Sequence, residues 1–277
     1  ISLCGKGEPV LKNITLGQFF PGNTLVHRMD PRFKLVMVFA FIVLVFFAKT
    51  FVCYGIIILY LALVIGVSKI PVKYFLRGLK PIVFIIALTF VLNVFMTPGE
   101  HVLFAWRFIR VTLEGLRSAI YLSVRLMLLI IGTQVLTLTT SPVSLTDGLE
   151  DLMRPLSKIG FPSHELAMMT TIAMRFIPTL LEETNRIMKA QMSRGADFES
   201  GNLFRRARNL VPLMVPLFVS AFRRADDLAL AMEARCYRGG EGRTRMKVLK
   251  ATRADLYAAI SFLLLTALIV ADNILAV

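Results

Sequence analysis

Five apolar runs, four of them gathered in residues 33–138, govern what this chain can fold into. They cover residues 33–48, 51–67, 81–96, 118–138 and 256–270. A helix needs about 20 apolar residues to cross a bilayer. Inside lipid, only a helix or a closed barrel satisfies its own backbone hydrogen bonds. The pattern predicts an all-α integral membrane protein with about five transmembrane helices. The hydrophobic share, 56% of the chain, excludes the ordinary soluble class. Only Lys49 and Thr50 separate the first two runs, so these are expected to form a tight helical hairpin. Thr97, Pro98 and Gly99 break the third. The mixed stretch that follows holds Trp106 and Arg107, which suit a membrane interface.

Charge sets the orientation. The net charge is +14, and it has to lie outside the bilayer. His27, Arg28, Arg32 and Lys34 precede or open the first span, and Lys69, Lys73, Arg77 and Lys80 lie between the second and third. Both groups belong in the cytoplasm by the positive-inside rule. The segment 141–253 carries 18 Lys and Arg against 12 Asp and Glu, so it is expected in the cytoplasm too. The domain reading is an N-terminal cytoplasmic segment at 1–32 and four spans within 33–140. Cytoplasmic helices at 141–253 and a last span at 254–277 complete it. An N-terminus inside and five spans place the C-terminus outside. Residues 1–32 do not resemble a cleavable signal peptide, and the first ten match nothing that follows. The basic excess faces anionic lipid, and no nucleic-acid recognition motif accompanies it.

The 141–253 segment is far longer than a connector. Ser141 and Pro142 open one helix, with Leu145, Leu149, Leu152 and Leu156 at helical spacing, and Gly160-Phe161-Pro162 stops it. Ser163 is expected to cap a second helix running to about Arg194, kinked at Pro178 and stopped by Gly195. Glu182 and Arg186 are spaced to pair along it. A third helix follows Arg208 and ends near Arg235. Leu217, Ala221, Ala225, Leu228 and Met232 line one of its faces, and Gly239-Gly240 closes the region. Nine of the chain's 13 methionines lie in this segment. Methionine suits either a surface that repacks against several partners or ordinary helix packing.

Catalytic and metal signatures are missing. GxxxxGK[ST], HExxH and GxSxG do not occur, and Cys4, Cys53, Cys236 and the three histidines are too scattered for a metal site. Neither catalytic residues nor bound cofactors or metals are expected. Arg125 interrupts the fourth apolar run, and an arginine there marks either a pathway or, the favoured reading, a structural partner. Asn93 and Gln134 are expected to make interhelical hydrogen bonds. Ser193-Arg194-Gly195 and Ala234-Arg235-Cys236 lie 41 residues apart, each closing a long helix. At such an end an arginine either merely favours the helix dipole or reaches out to carboxylates in a two-pronged contact.

Gly17-Gln18-Phe19-Phe20-Pro21-Gly22 and His27-Arg28-Met29-Asp30-Pro31-Arg32-Phe33-Lys34-Leu35, with the basic helical segment and the two arginine motifs, carry a resemblance. The chain resembles the transmembrane T component (CbiQ/EcfT-like family) of energy-coupling factor transporters, over about residues 11–275. The family's short motif is Ala-Arg-Gly; here Ser193 replaces its alanine and Cys236 its glycine. The resemblance implies a non-catalytic scaffold in a prokaryotic cytoplasmic membrane. Two ABC-type ATPase subunits would use the ATP, and one of the motifs 193–195 and 234–236 would dock into each. A small membrane S component would capture a vitamin or metal ion. Met168, Met174 and Met188 are expected to touch it. Two readings compete: a membrane-embedded transferase acting on a phosphorylated lipid, and a self-sufficient permease.

Overall fold

The computed structural model describes residues 19–97, 101–106, 109–196, 198, 203–239 and 252–275. Of the residues singled out above, Cys4, Gly17, Gln18, Pro98, Gly99, Arg107 and Gly240 lie outside them, as does Met246, one of the nine methionines of 141–253. The described chain is helical apart from one small hairpin, β1 (Val102–Trp106) and β2 (Ile109–Thr112), paired antiparallel in the stretch read as mixed. The chain divides into two units, one formed by residues 18–152 with 247–277 and the other containing 153–246.

In the first unit a short helix α1 (Leu25–Arg28) precedes α2 (Pro31–Phe47), α3 (Phe51–Ser68), α4 (Val72–Met96) and α5 (Leu113–Thr139). Helices α6 (Pro142–Met153) and α9 (Arg253–Leu275) complete it. Helices α3, α4, α5 and α9 are each long and apolar enough to cross a membrane. Helix α2, at 17 residues, stands at the short end of the spanning range, about 17–25 residues. The third span starts nine residues before its expected boundary because Pro81 lies inside α4 (81 − 72 = 9) rather than opening it. Membrane helices tolerate such a proline because neighbouring helices, hydroxyl side chains and local adjustment can satisfy the carbonyl it frees.

The expected α2–α3 hairpin turns tightly, but its two helices pack mainly on α5 and α9 rather than on each other. Their core holds Phe41, Val45, Ile57, Leu61, Leu128, Leu265 and Ile269. Small residues permit the close approaches. A Cβ on Gly132 of α5 would lie 2.4 Å from the Phe41 ring, and one on Gly78 of α4 would lie 2.3 Å from the Gln134 amide. Gln134 thus packs α5 against α4, whereas Asn93 turns back to the Thr89 carbonyl of its own helix, 2.9 Å away. Arg125 has a structural role. Its guanidinium donates to the Tyr54 hydroxyl (3.1 Å) and the Ala48 carbonyl (3.4 Å) and lies over the Phe46 ring. It therefore clamps the α2–α3 turn.

In the second unit a 3₁₀ turn (Arg154–Ile159) ends at Gly160 in the left-handed region (φ 86°). It is followed by α7 (Ser163–Ser193) and α8 (Leu203–Ala234). Ser163 is the first buried residue of α7 and not its cap; Pro162 precedes it without a side-chain hydrogen bond. Pro178, Pro212 and Pro216 all lie inside the helices. The inner face of α8 is the stripe read from the sequence, now with Leu213 and Arg224 added. Ala225 is its one exposed member.

Candidate functional site: two arginine-ended helices and an N-terminal knot

Both long helices of the second unit end in the same way. At the end of α7, the Gly195 N–H donates to the Met192 carbonyl and the Ala196 N–H to the Gln191 carbonyl, each at 3.0 Å. At the end of α8, the Cys236 N–H donates to Glu233 (2.8 Å) and the Tyr237 N–H to Met232 (3.0 Å). Each pair of bonds is a Schellman closure, which needs a left-handed residue just past the helix. Gly195 (φ 87°) and Cys236 (φ 55°) fill that place. Arg194 and Arg235 are therefore the last residues before the chain reverses, and both are exposed. Among the described residues neither guanidinium is engaged by a carboxylate. Ser193 and Ala234 complete the last turns, the Ser193 hydroxyl bonding back to the Lys189 carbonyl.

Helices α7 and α8 run antiparallel, since two contacts join them with residue numbers falling in one as they rise in the other. Arg224 of α8 meets Glu183 of α7 at 3.1 Å. The Tyr237 hydroxyl, just past α8, reaches the Met168 sulfur at 3.1 Å. Glu183 takes an arginine from the other helix; the spacing had suggested Glu182 and Arg186 within one. Of the three methionines named from the sequence, Met188 is buried, and Met168 and Met174 are half-buried. The exposed apolar surface lies elsewhere. Val211, Met214, Val215, Phe218 and Phe222 line the outer face of α8, and Met169 stands out from α7. The sequence reading took only the buried stripe of α8; the second stripe also repeats at helical spacing, but spacing alone does not say which face turns outward.

The N-terminal signature folds into a compact knot in the first unit. The Phe20 N–H donates to the Leu138 carbonyl at the end of α5 (2.9 Å). His27 Nε2–H donates to the Phe20 carbonyl (3.0 Å), and Nδ1 accepts from the Thr24 hydroxyl (2.7 Å), which fixes the neutral tautomer. Burial lowers the His27 pKa and the nearby Lys34 charge adds to this, outweighing the Phe20 carbonyl that raises it. Gly22 leaves room for the imidazole, for a Cβ there would lie 2.8 Å from it. Asp30 caps α2 through the Arg32 N–H, and its own N–H donates to Asp255 at the start of α9 (2.8 Å). Arg32 bridges to Asp151 of α6 (2.6 Å), beside Gly148, whose backbone packs on Pro31. Lys34 is buried and donates to the Thr139 carbonyl and the Thr140 hydroxyl. The charged residues of the signature thus tie the starts of α2 and α9 and the last turn of α6 to the end of α5. That is a structural use, which the sequence reading, taking these residues as cytoplasmic charges and a signature, did not anticipate.

Residues 22–247 match the family model described as CbiQ, cobalt transport protein. The chain belongs to that family. Its relatives carry a more specific description, "Energy-coupling factor transporter transmembrane protein EcfT". The Clostridium kluyveri protein of that name is 54% identical over 96% of this chain and 98% of its own length. The Thermosediminibacter oceani protein is 57% identical over 91% and 94%. That of Bacillus subtilis is 46% identical over 94% and 98%. In this CbiQ/EcfT member the two arginine-ended helices fall inside the matched region, as does the knot apart from Phe20 and Asp255. The chain is a transmembrane component of the energy-coupling factor class, a transport protein of the membrane.

Proposed function

We propose that this chain couples ATP hydrolysis to uptake as the scaffold of an energy-coupling factor importer in a prokaryotic cytoplasmic membrane. Two ABC-type ATPase subunits dock on the second unit, one on the motif Ser193-Arg194-Gly195 and the other on Ala234-Arg235-Cys236. A small membrane S component delivers a vitamin or metal ion. ATP is used by the partners, and this chain holds no catalytic residue or cofactor. The observation that carries the reading is the pair of Schellman-closed helix ends, each presenting an exposed arginine that no carboxylate of the described chain engages. A guanidinium held at such a corner suits a bidentate contact with a partner's carboxylate.

The S component lies against the outer apolar stripe of α8, with Met169 at its edge. Flexible methionine and large aromatic side chains there allow the contact to repack as the ATPases close. This replaces Met188, whose burial commits it to the chain's own packing. The phosphorylated-lipid transferase has no observation to carry it. Affinity purification of the tagged chain from its native membrane tests the proposal. Two ATPase subunits and a small hydrophobic protein are expected in fixed ratio. Recovery of the chain alone under mild detergent, with transport intact in the same cells, would overturn it.

A further inference from the structure

Adding 41 to a residue number carries Arg194 onto Arg235 and Gly195 onto Cys236, and the equivalence extends back into the helices. At three of the corresponding positions the charges are inverted. Glu182, Glu183 and Arg186 of α7 match Arg223, Arg224 and Asp227 of α8. Glu183 meets its own counterpart, Arg224, at 3.1 Å. Where two like elements are related by a two-fold axis, a residue that touches its own counterpart marks the axis. The Glu183–Arg224 pair therefore lies on a pseudo-two-fold of the α7–α8 hairpin.

The spacing from this pair to the arginines is equal on both helices, eleven residues (194 − 183 = 235 − 224 = 11). Eleven residues make about three helical turns and roughly 16 Å of rise, and return to within about 20° of the same face. The helices are antiparallel, so the two arms point in opposite directions. The arginine Cα atoms then stand roughly 33 Å apart, on the faces by which the helices meet. A faithful duplicate would have set glutamate against glutamate at the axis. The inverted charges make α7 a partner for α8 and set α7 against a second α7.

We propose that Glu183 and Arg224 are a positioning pair that fixes the crossing register of α7 and α8, so that both arginine ends engage two symmetry-related partner subunits at once. The proposal rests on the ATPase-docking reading. It adds that the pair, which touches neither partner, sets the span between the docking points.

The test uses the assembled complex and two readouts. Nitroxide labels on Lys189→Cys and Leu230→Cys, counterparts under the same relation and both exposed, report the distance across the hairpin in a background with Cys4 and Cys236 changed to serine. Retention of ATPase subunits and their ATP hydrolysis report engagement. Glu183→Arg should broaden the distance distribution and lower subunit retention about tenfold. Glu183→Gln, which sets no like charges together, should do the same more mildly and covers the case in which the reversal fails to fold. The swap Glu183→Arg with Arg224→Glu should restore both the narrow distance and the retention to within about twofold. An unchanged distance in Glu183→Arg would overturn the proposal, and so would an altered distance with full retention and hydrolysis. Failure of the docking reading shows itself separately: Arg194→Ala with Arg235→Ala would keep its ATPases while the label distance stays unchanged.

Discussion

Gly195 and Cys236 occupy the same backbone position, the left-handed residue that closes a helix immediately after an exposed arginine. Glycine takes this conformation freely, whereas a residue with a Cβ is strained there by about 1–2 kcal/mol. No atom lies within 4 Å of a Cβ placed on Gly195, so backbone strain is the only penalty at that site. Gly195→Ala should therefore destabilise the chain by about 1 kcal/mol, and Cys236→Gly should stabilise it by about 0.5–1 kcal/mol. Thermal unfolding of the purified chain in detergent measures both. Equal midpoints for Cys236→Gly and the parent would mean that another contact of Cys236 outweighs the strain.

Four of the five expected spans, α3, α4, α5 and α9, were legible because each needs only a long apolar run, and the two helix ends were legible because a break follows each. Other features depend on contacts between distant segments. The sequence offers Glu182 and Arg186 at a spacing that fits pairing along one helix, and only the packing of α7 on α8 shows that Arg224 takes Glu183. Cys236 carries no turn signal, so its left-handed backbone had to be seen. The β1–β2 hairpin was missed because its strands are short and lack a clear alternation of apolar and polar residues. Pro81 read as a boundary since proline usually breaks helices, a rule that membrane helices relax.

The basic excess in 141–253 predicts a cytoplasmic location for the second unit. Ser157 belongs to that unit and is exposed, so it suits a single reporter. Ser157→Cys, in a background with Cys4 and Cys236 changed to serine, should react with a membrane-impermeant maleimide only after the cells are permeabilised. Labelling in intact cells would invert the topology and remove the ATPases from reach of Arg194 and Arg235.

His27 should make stability depend on pH. Its folded-state pKa lies below the ordinary histidine value of about 6.5, with burial as the main cause. The folded chain thus binds fewer protons at this site than the unfolded one. The stabilising contribution is complete above about pH 6.5 and is lost as pH falls from there through the folded value. Between pH 7.5 and 5.5 the unfolding midpoint should fall more steeply in the parent than in His27→Gln. Parallel curves would show that the imidazole titrates alike in both states. Gly22→Val should lower the midpoint at every pH, because its Cβ would press on the ring.

Arg194 and Arg235 carry the central prediction. Both are exposed and held at the corner of a closed helix end, so replacing either leaves the chain's own described packing untouched. If each inserts into an acidic groove on one ATPase subunit, Arg→Ala leaves the partner's carboxylates buried and unpaired, at roughly 2–5 kcal/mol. Each single variant should then lose ATPase on purification or hydrolyse ATP without transport. If each motif engages its own subunit, the double variant should lose about the sum of the two effects. Arg→Lys should restore binding only in part, since an ammonium cannot make the planar two-pronged contact. Arg→Glu should be the most damaging, because it brings like charges together. Subunit retention gives the binding loss, and ATP hydrolysis alongside substrate uptake gives the coupling. A double alanine variant that assembles and transports like the parent would reduce both arginines to helix-end charges, worth about 1 kcal/mol or less each.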